Sequence, residues 1–298
     1  MYDVIGYLNY KKYISKNIFE KILDKMLFRI KFNYLSQNQV EILINRNRLN
    51  EKRIKKIKKA IIDNAIHILV LSNKINDANK LENEDIKILN GKFLMKNIVI
   101  NILEYIYNCQ SKDIRFEEVY VTINNDKHQE ILFDLAKKMK CINIVTDKIK
   151  KLKRLDKKLE NEDDIIYSIS NNTKKALKKA NIIINFDYDE DFFYKFNVNR
   201  KAIIINLSNN KFSLKNSYQG VIIDNIVIDY ENDRELKINS GDFDKNILYE
   251  SKIINLKYQQ DNFINDNCKV NYLLGKNGII SVDELKKLIK LDKYIKMD

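Results

Sequence analysis

The side chains able to do chemistry are few and scattered. Asn124-Asn125-Asp126 follows the β-branched run Val119–Ile123. A phosphate-cradling loop at that turn would carry glycines in a G-x-G-x-x-G pattern, so that backbone N–H groups can meet an anion. Only two histidines exist, His67 and His128. His67 lies inside the apolar run Ile66–Leu71 and reads as a core imidazole, and His128 reads as a surface residue in the first turn of a helix. The three cysteines, Cys109, Cys141 and Cys268, are isolated and form no C-x-x-C pair, which suggests neither a disulfide framework nor a zinc site. Asp187, Asp189 and Asp191 alternate like the start of a calcium loop, without its central glycine or closing glutamate. No G-x-S-x-G elbow, P-loop or H-E-x-x-H is present. The sequence therefore names no catalytic residue and no metal site.

The elements that would position these residues are clearer. From Phe116 to Asn210, five runs rich in β-branched residues recur: Val119–Ile123, Cys141–Thr146, Ile165–Ser170, Asn181–Phe186 and Lys201–Leu207. Continuous apolar strands alternating with helical or turn-rich segments predict a buried parallel sheet covered by helices. Such a sheet binds ligands at the carboxyl ends of its strands. Asp126-Lys127-His128-Gln129 reads as a capping box for a helix burying Ile131, Leu132, Leu135 and Met139. Ile149, Leu152, Leu155 and Leu159 form a second stripe, with the lysines at 148, 150, 151, 153, 157 and 158 on its solvated side. Asp187-Tyr188-Asp189-Glu190 reads as the cap of a further short helix.

The first region, 1–90, also reads as an α/β domain. Asp3–Leu8, Val40–Ile44 and Ile66–Leu71 have strand character, Ile18, Ile22 and Met26 have helical spacing, and Asn50 can cap a helix facing inward with Ile54, Ile57 and Ile61. Residues 91–112, with Leu94, Ile98, Ile102 and Tyr105 at helical spacing, read as a spacer helix. The parallel-sheet domain is expected over 113–230. Residues 231–298 read as a C-terminal segment ending in a helix capped by Ser281. Gly220–Asp229 is expected as one strand or a tight hairpin. The fold class is α/β, in two domains, the second a Rossmann-like parallel sheet flanked by helices.

Composition narrows the class. Over 298 residues, 45% are hydrophobic and 32% charged, which is globular rather than disordered. The absence of proline and tryptophan and the abundance of Lys, Asn and Ile reflect AT-rich codon usage, so the net charge of +13 is to be discounted. Its distribution is not uniform: residues 1–60 hold 15 Lys or Arg against 5 Asp or Glu. Arg46, Arg48, Lys52, Arg53, Lys55, Lys56 and Lys59 would meet nucleic-acid phosphates if they shared a surface, with Tyr7, Tyr10, Phe28 and Tyr34 available for stacking. Solvated helix faces are the simpler reading. The N-terminus lacks the pattern of a signal peptide, and no apolar run reaches the roughly 20 residues needed to cross a bilayer. A cytoplasmic protein with no membrane partner is expected.

Cys141–Lys148 together with Ala176–Asn185 resembles the cofactor domain of shikimate dehydrogenases and glutamyl-tRNA reductases. In those families a second strand leads into an Asn-Arg-Thr loop, and a helix ending in a leu-x-x-ala-asp-ile-val-ile pattern enters the fourth strand. The resemblance covers about a third of the chain. It implies NAD or NADP as cofactor, held by the loops Asn124-Asn125-Asp126, Thr146-Asp147-Lys148 and Phe186-Asp187. Asp147 would then meet a ribose hydroxyl and favour NAD.

The departures are specific. Asn124 and Asn125 crowd a phosphate approach that needs glycine, and Asp126 places a negative charge there. Phe186 stands where small residues would flank the nicotinamide ribose, and would stack on a ligand or plug the crevice. The proline-containing catalytic segment of shikimate dehydrogenases cannot exist in this chain. Cys109 falls on the spacer helix rather than where the reductase nucleophile belongs. No cofactor is therefore assigned. The reading that follows is a non-catalytic or regulatory protein with a degenerate Rossmann-like domain, gripping a small ligand in an interdomain cleft. The alternatives are an NAD(P)-dependent oxidoreductase with a non-glycine phosphate loop and a nucleic-acid-binding protein acting through the basic N-terminal region.

Overall fold

A computed structural model describes residues 4–15, 17–124, 126–139, 141–162, 165–209, 214, 217–230, 240–257 and 268–289. In chain order the elements begin β1 (Val4–Tyr10), α1 (Ile18–Met26), β2 (Ile30–Ser36), β3 (Gln39–Ile44), α2 (Glu51–Asp63), β4 (Ile66–Leu71), β5 (Lys87–Ile88), α3 (Lys92–Asn97) and α4 (Val99–Asn108). They continue with β6 (Val119–Thr122), α5 (Gln129–Met139), β7 (Cys141–Val145), α6 (Lys153–Glu160), β8 (Ile166–Ser170), β9 (Ile182–Asn185), α7 (Glu190–Lys195) and β10 (Ile203–Asn206). The last are β11 (Val221–Ile223), β12 (Asn225–Tyr230), α8 (Lys245–Lys257), β13 (Cys268–Gly275), β14 (Gly278–Ile280) and α9 (Val282–Ile289). The chain divides into two compact units, Met1–Leu94 with Asn232–Phe263 and Met95–Glu231 with Ile264–Asp298.

The first unit is built on a five-stranded sheet in the order β2-β3-β1-β4-β5, parallel except for β2. The Asn50 side chain accepts from Arg53 N–H at 3.0 Å and starts α2. Ile54, Ile57 and Ile61 then recur on one face and are buried with Leu8, Ile42 and Ile66. Each such side chain contributes roughly 1.5–3 kcal/mol on burial, and Ile57→Ala alone would cost about 2–5 kcal/mol. The opposite face of the sheet carries Ile5, Tyr7, Ile68 and Val70, covered by Phe243, Leu248 and Ile254. Tyr7 is fully buried there, with its hydroxyl on Ser251, so it is no stacking platform. His67 is a second correction: Val4 pairs with Ile66 and Ile5 with Ile68, so His67 is the unpaired extra residue of a bulge and is exposed, while Ile66 and Ile68 enter the cores on opposite faces.

The second unit holds a fully parallel six-stranded sheet in the order β11-β10-β9-β6-β7-β8. Numbered within the sheet, this is 6-5-4-1-2-3, the Rossmann order. β9 and β10 both read Ile-Ile-Ile-Asn and are buried at every position, as strands covered on both faces must be. On α5, Leu132, Leu135, Ala136 and Met139 are buried, and Leu155 and Leu159 do the same for α6. Asp189 caps α7 through Phe192 N–H, and the Ser281 hydroxyl accepts from Glu284 N–H at the start of α9. A Cβ on Gly220 would meet the Ala202 carbonyl oxygen at 2.0 Å, so only glycine leads into β11.

Four local expectations are corrected. Gly220–Asp229 is neither one strand nor a hairpin: β11 pairs parallel with β10, while β12 joins β13 and β14 in an antiparallel sheet. The two halves follow partners of opposite direction, and Asp224 N–H donates to Leu274 O where they part. The spacer helix is two helices, because Ile98 leaves helical geometry with φ −112° and ψ 22°. Where the resemblance implies a helix, residues 173–179 form successive turns, closed by bonds such as Lys178 N–H to Lys175 O. Asp126 does not cap α5: its carbonyl accepts from Gln129 N–H, and the first i→i+4 bond runs from Leu132 to His128.

Candidate functional site: a Rossmann switch point filled by side chains

β6 and β9 are neighbours whose onward connections run to opposite sides of the sheet, and a ligand crevice belongs at their carboxyl ends. The in-register pairing places Thr122, Asn185, Asn206 and Asp224 in one row across β6, β9, β10 and the end of β11. Thr122, Asn185 and Asn206 are fully buried, so each must be satisfied within the protein. The Thr122 hydroxyl donates to Asn185 Oδ1 at 2.9 Å, and Asn185 Nδ2 donates to Tyr188 O at 2.8 Å and Asn206 Oδ1 at 3.1 Å. Asn206 Nδ2 continues to Asp224 Oδ1 at 2.9 Å, and Tyr188 N–H returns to Asn185 Oδ1 at 3.1 Å. Asn185 thereby uses both amide hydrogens and its carbonyl. These bonds fix the turn after β9.

That turn carries Phe186, Asp187 and Tyr188 back over the end of the sheet. Phe186 is fully buried, its N–H on Thr122 O. The His128 ring lies against it, with centroids 5.3 Å apart and planes tilted by 32°. Asp187 Oδ1 lies 3.2 Å from His128 Nε2, and Oδ2 accepts from Asn124 N–H at 3.4 Å. An ionised carboxylate accepts only, so Nε2 carries the proton directed at it. The Lys96 ammonium sits 3.4 Å from the same nitrogen. Burial opposes the charge on Asp187, but the His128 hydrogen bond and charge, Asn124 N–H and Lys96 more than offset it and hold the carboxyl below its ordinary value. His128 is thus half-buried and hydrogen-bonded to Asp187 rather than a surface residue.

Tyr188 reaches past the end of β6 to the end of β7. Its hydroxyl donates to Asp147 Oδ1, accepts from Asp147 N–H at 3.1 Å, and meets the buried Thr146 hydroxyl at 3.1 Å. The single phenolic hydrogen is committed to Asp147, so Thr146 is the donor in the last contact. Lys148 N–H donates to Thr146 Oγ1 at 3.0 Å. Burial, and then the bond to Asp147, raises the Tyr188 pKa, keeping the phenol protonated. The ring stacks on Phe192 at 3.6 Å between centroids, and Phe192 stacks on Phe196 at 4.2 Å.

The sheet therefore brings together Asn124, Thr146, Asp147, Lys148, Phe186 and Asp187. Asp126 lies in the turn before α5, and Asn125 falls outside the described residues. Sequence reasoning missed His128 as the partner of Asp187, and also Lys96, Tyr188 and the Thr122–Asn185–Asn206 row. The twin Ile-Ile-Ile-Asn tetrapeptides were the available signal, since a polar residue ending each of two buried strands requires a partner. Two features stand against NAD or NADP in this arrangement. Asp187 and His128 stand against the loop that pyrophosphate would approach, and the Asp147 carboxylate already holds a hydroxyl from the protein. Among the described residues, no group of three or more His, Cys, Asp or Glu is arranged to hold a metal ion.

Three of the seven basic N-terminal side chains bond locally. Arg46 donates to the carbonyls of Asp24, Lys25 and Asn45, Arg53 to that of Arg48, and Lys56 to that of Phe28. Lys52, Lys55 and Lys59 remain exposed on α2.

No family model matches the chain, and no curated protein matches it in sequence. Among solved structures it is similar to an L-tryptophan dehydrogenase from Nostoc punctiforme, with a TM-score of 0.33 and 10% identity over 71% of this chain and 65% of that one. A phosphoglycerate oxidoreductase from Vibrio cholerae gives a TM-score of 0.28 and 9% identity over 69% of this chain and 75% of that one. A glyoxylate reductase from Paecilomyes thermophila gives 0.29 and 10% over 90% of this chain and 98% of that one. The match spans less than two thirds of the tryptophan dehydrogenase. At these TM-scores the likenesses carry no statement about activity, and the Rossmann order rests on the strand pairing itself.

Proposed function

We propose that this chain is a non-catalytic binding or regulatory protein, a degenerate relative of the cofactor domains of shikimate dehydrogenases and glutamyl-tRNA reductases. The observation that carries the reading is the occupation of the switch point by the protein's own groups. The Tyr188 hydroxyl takes the Asp147 carboxylate that a ribose would need, Phe186 is buried against the His128 ring, and the Asp187–His128 pair stands on the phosphate side. Dinucleotide binding would have to break these bonds and return buried polar atoms to water, a cost of about 1–3 kcal/mol for each unsatisfied group.

A second reading, an NAD(P)-dependent oxidoreductase, is favoured by the same aspartate. Asp147 ends the second strand of a Rossmann-ordered sheet with its carboxylate already oriented to hold a hydroxyl. Titrating NAD, NADP and their reduced forms into the full chain by calorimetry separates the two. The leading reading expects no micromolar binding of any of the four. Micromolar binding that Asp147→Ala removes would overturn it in favour of the second.

A further inference from the structure

Helix α1 is built inside out. Taking about 100° per residue, Ile18, Phe19, Ile22, Leu23 and Met26 occupy an arc about 140° wide, and Asp24 stands opposite its centre. An amphipathic helix ordinarily turns the apolar arc inward. Here Asp24 is the buried residue, while Phe19 is 80%, Met26 75% and Ile18 74% exposed. The inward face is held by polar bonds. Asp24 accepts from Ile14 N–H at 2.7 Å, Ser15 N–H at 3.2 Å and Arg29 Nη1 at 3.2 Å. Asn45 and Arg46 donate to the Asp24 carbonyl at 2.6 and 2.9 Å. The helix is anchored by its acid and presents its hydrophobic face to solvent.

Charge surrounds that face. Lys25 borders the apolar arc on α1, with Lys21 beyond it and Glu20 on the opposite flank. Beside the helix start lies an open pocket of about 830 Å³ lined by Lys11, Lys12, Lys21 and Lys31 with the amides of Asn17 and Asn33, and no lining residue is acidic. Leu43 and Ile14 add apolar surface to it.

We infer that α1 docks onto an anionic phospholipid surface, its apolar arc entering the interface and the lysine pocket taking lipid phosphates. A broad apolar face of this kind suits a bilayer interface, into which such a helix sinks by about 5–10 Å. A partner helix would cover a stripe nearer 100° wide. A second copy of this chain is disfavoured by charge, since a two-fold contact through α1 would bring both lysine clusters together. Among the described residues no helix is long and apolar enough to cross a membrane, which bears on spanning and not on interfacial attachment.

The chain contains no tryptophan, so Phe19→Trp in the full-length protein creates a single reporter on the proposed face. Its emission is read against phosphatidylcholine vesicles and against mixed phosphatidylcholine–phosphatidylglycerol vesicles, with flotation as the independent measure. The expected result is a blue shift and flotation with the anionic vesicles alone. Ile22→Asp abolishes both, and joint Lys21→Glu and Lys25→Glu reversal weakens binding at least about tenfold. All these positions lie at the surface, and unchanged circular dichroism establishes that each variant is folded. Absence of a shift on anionic vesicles overturns the proposal, as does binding indifferent to either substitution. An equal shift on adding polyglutamate would assign the face to an acidic protein instead. A dimer in light scattering that Ile22→Asp splits would assign it to a second copy.

Discussion

The Tyr188 hydroxyl and the Asp147 carboxylate form one hydrogen bond across 41 residues of sequence, joining the turn after β9 to the end of β7 past the strand between them. Asp147 N–H returns a second bond to the same oxygen at 3.1 Å. The crevice of the parallel sheet is thereby spanned by the protein's own phenol.

Removing that oxygen tests how much it holds. Tyr188→Phe keeps the stack on Phe192 but leaves Asp147 N–H and the Thr146 hydroxyl without their acceptor. A loss of about 1–3 kcal/mol is expected in urea unfolding. Phe186 and the His128–Asp187 pair stay in place, so NAD titration of the variant is still expected to give no micromolar binding.

The Asp187–His128 pair predicts a pH signature of definite sign. The Asp187 pKa is held below its ordinary 3.8 in the folded state, so the group stabilises the fold fully above that value. The contribution is lost as pH falls below 3.8 through the folded-state value. Asp187→Asn should therefore lower the urea midpoint at neutral pH by the equivalent of about 1–3 kcal/mol. The gap to the parent protein should close on acidification below 3.8. A gap that stays constant or widens toward acid would remove the carboxylate's charge from the account.

Much of this architecture was legible before any coordinates. Runs such as Ile182–Asn185 and Ile203–Asn206 are too continuously apolar for a half-exposed strand, and their spacing leaves room for crossovers, so a covered parallel sheet follows. The loops at its carboxyl end were located for the same reason, and Asn124, Thr146, Asp147, Phe186 and Asp187 do meet there. What the chain hides is pairing across distance. Nothing local distinguishes Tyr188 from the aromatic residues after it until β6 and β7 are placed side by side. Helix α1 misleads for a related reason: Ile18, Ile22 and Met26 have the spacing of a core face. Only the Asp24 contacts to Ile14, Ser15 and Arg29 show that the helix is turned over.

The polar row across the strand ends yields a prediction about the core itself. Asn185 is fully buried, accepts from Thr122 Oγ1 and Tyr188 N–H, and donates to Tyr188 O and Asn206 Oδ1. Asn185→Leu preserves approximate volume while leaving those groups unpaired. Such networks lose more than the sum of isolated bonds when a central member is removed. A destabilisation of at least about 3 kcal/mol is expected by equilibrium denaturation. Asn206→Leu, which spares the Tyr188 bonds, should cost less, and the reverse ranking would place the centre of the network elsewhere.

The last prediction concerns what turns α1 over. Asp24 is fully buried, and its partner Arg29 keeps a third of its side chain in solvent. Removing one member of a buried pair strands the other, and the penalty is largest when the stranded group cannot reach water. Asp24→Ala leaves two backbone N–H groups without an acceptor and an arginine that can partly rehydrate, so about 3 kcal/mol is expected, the lower end of the range for such pairs. Arg29→Ala strands a fully buried carboxylate with only Ile14 and Ser15 N–H left to it, and its cost should be the larger. The two variants also differ locally. Without the Asp24 carboxylate only the Asn45 and Arg46 bonds to the α1 backbone hold the inverted orientation, and Phe19 and Met26 gain by turning toward the protein. A Phe19→Trp reporter should then show a blue-shifted emission in the Asp24→Ala background without any vesicle present. In the Arg29→Ala background it should remain solvent-exposed. An unshifted tryptophan in both would mean that something other than Asp24 holds the apolar face outward.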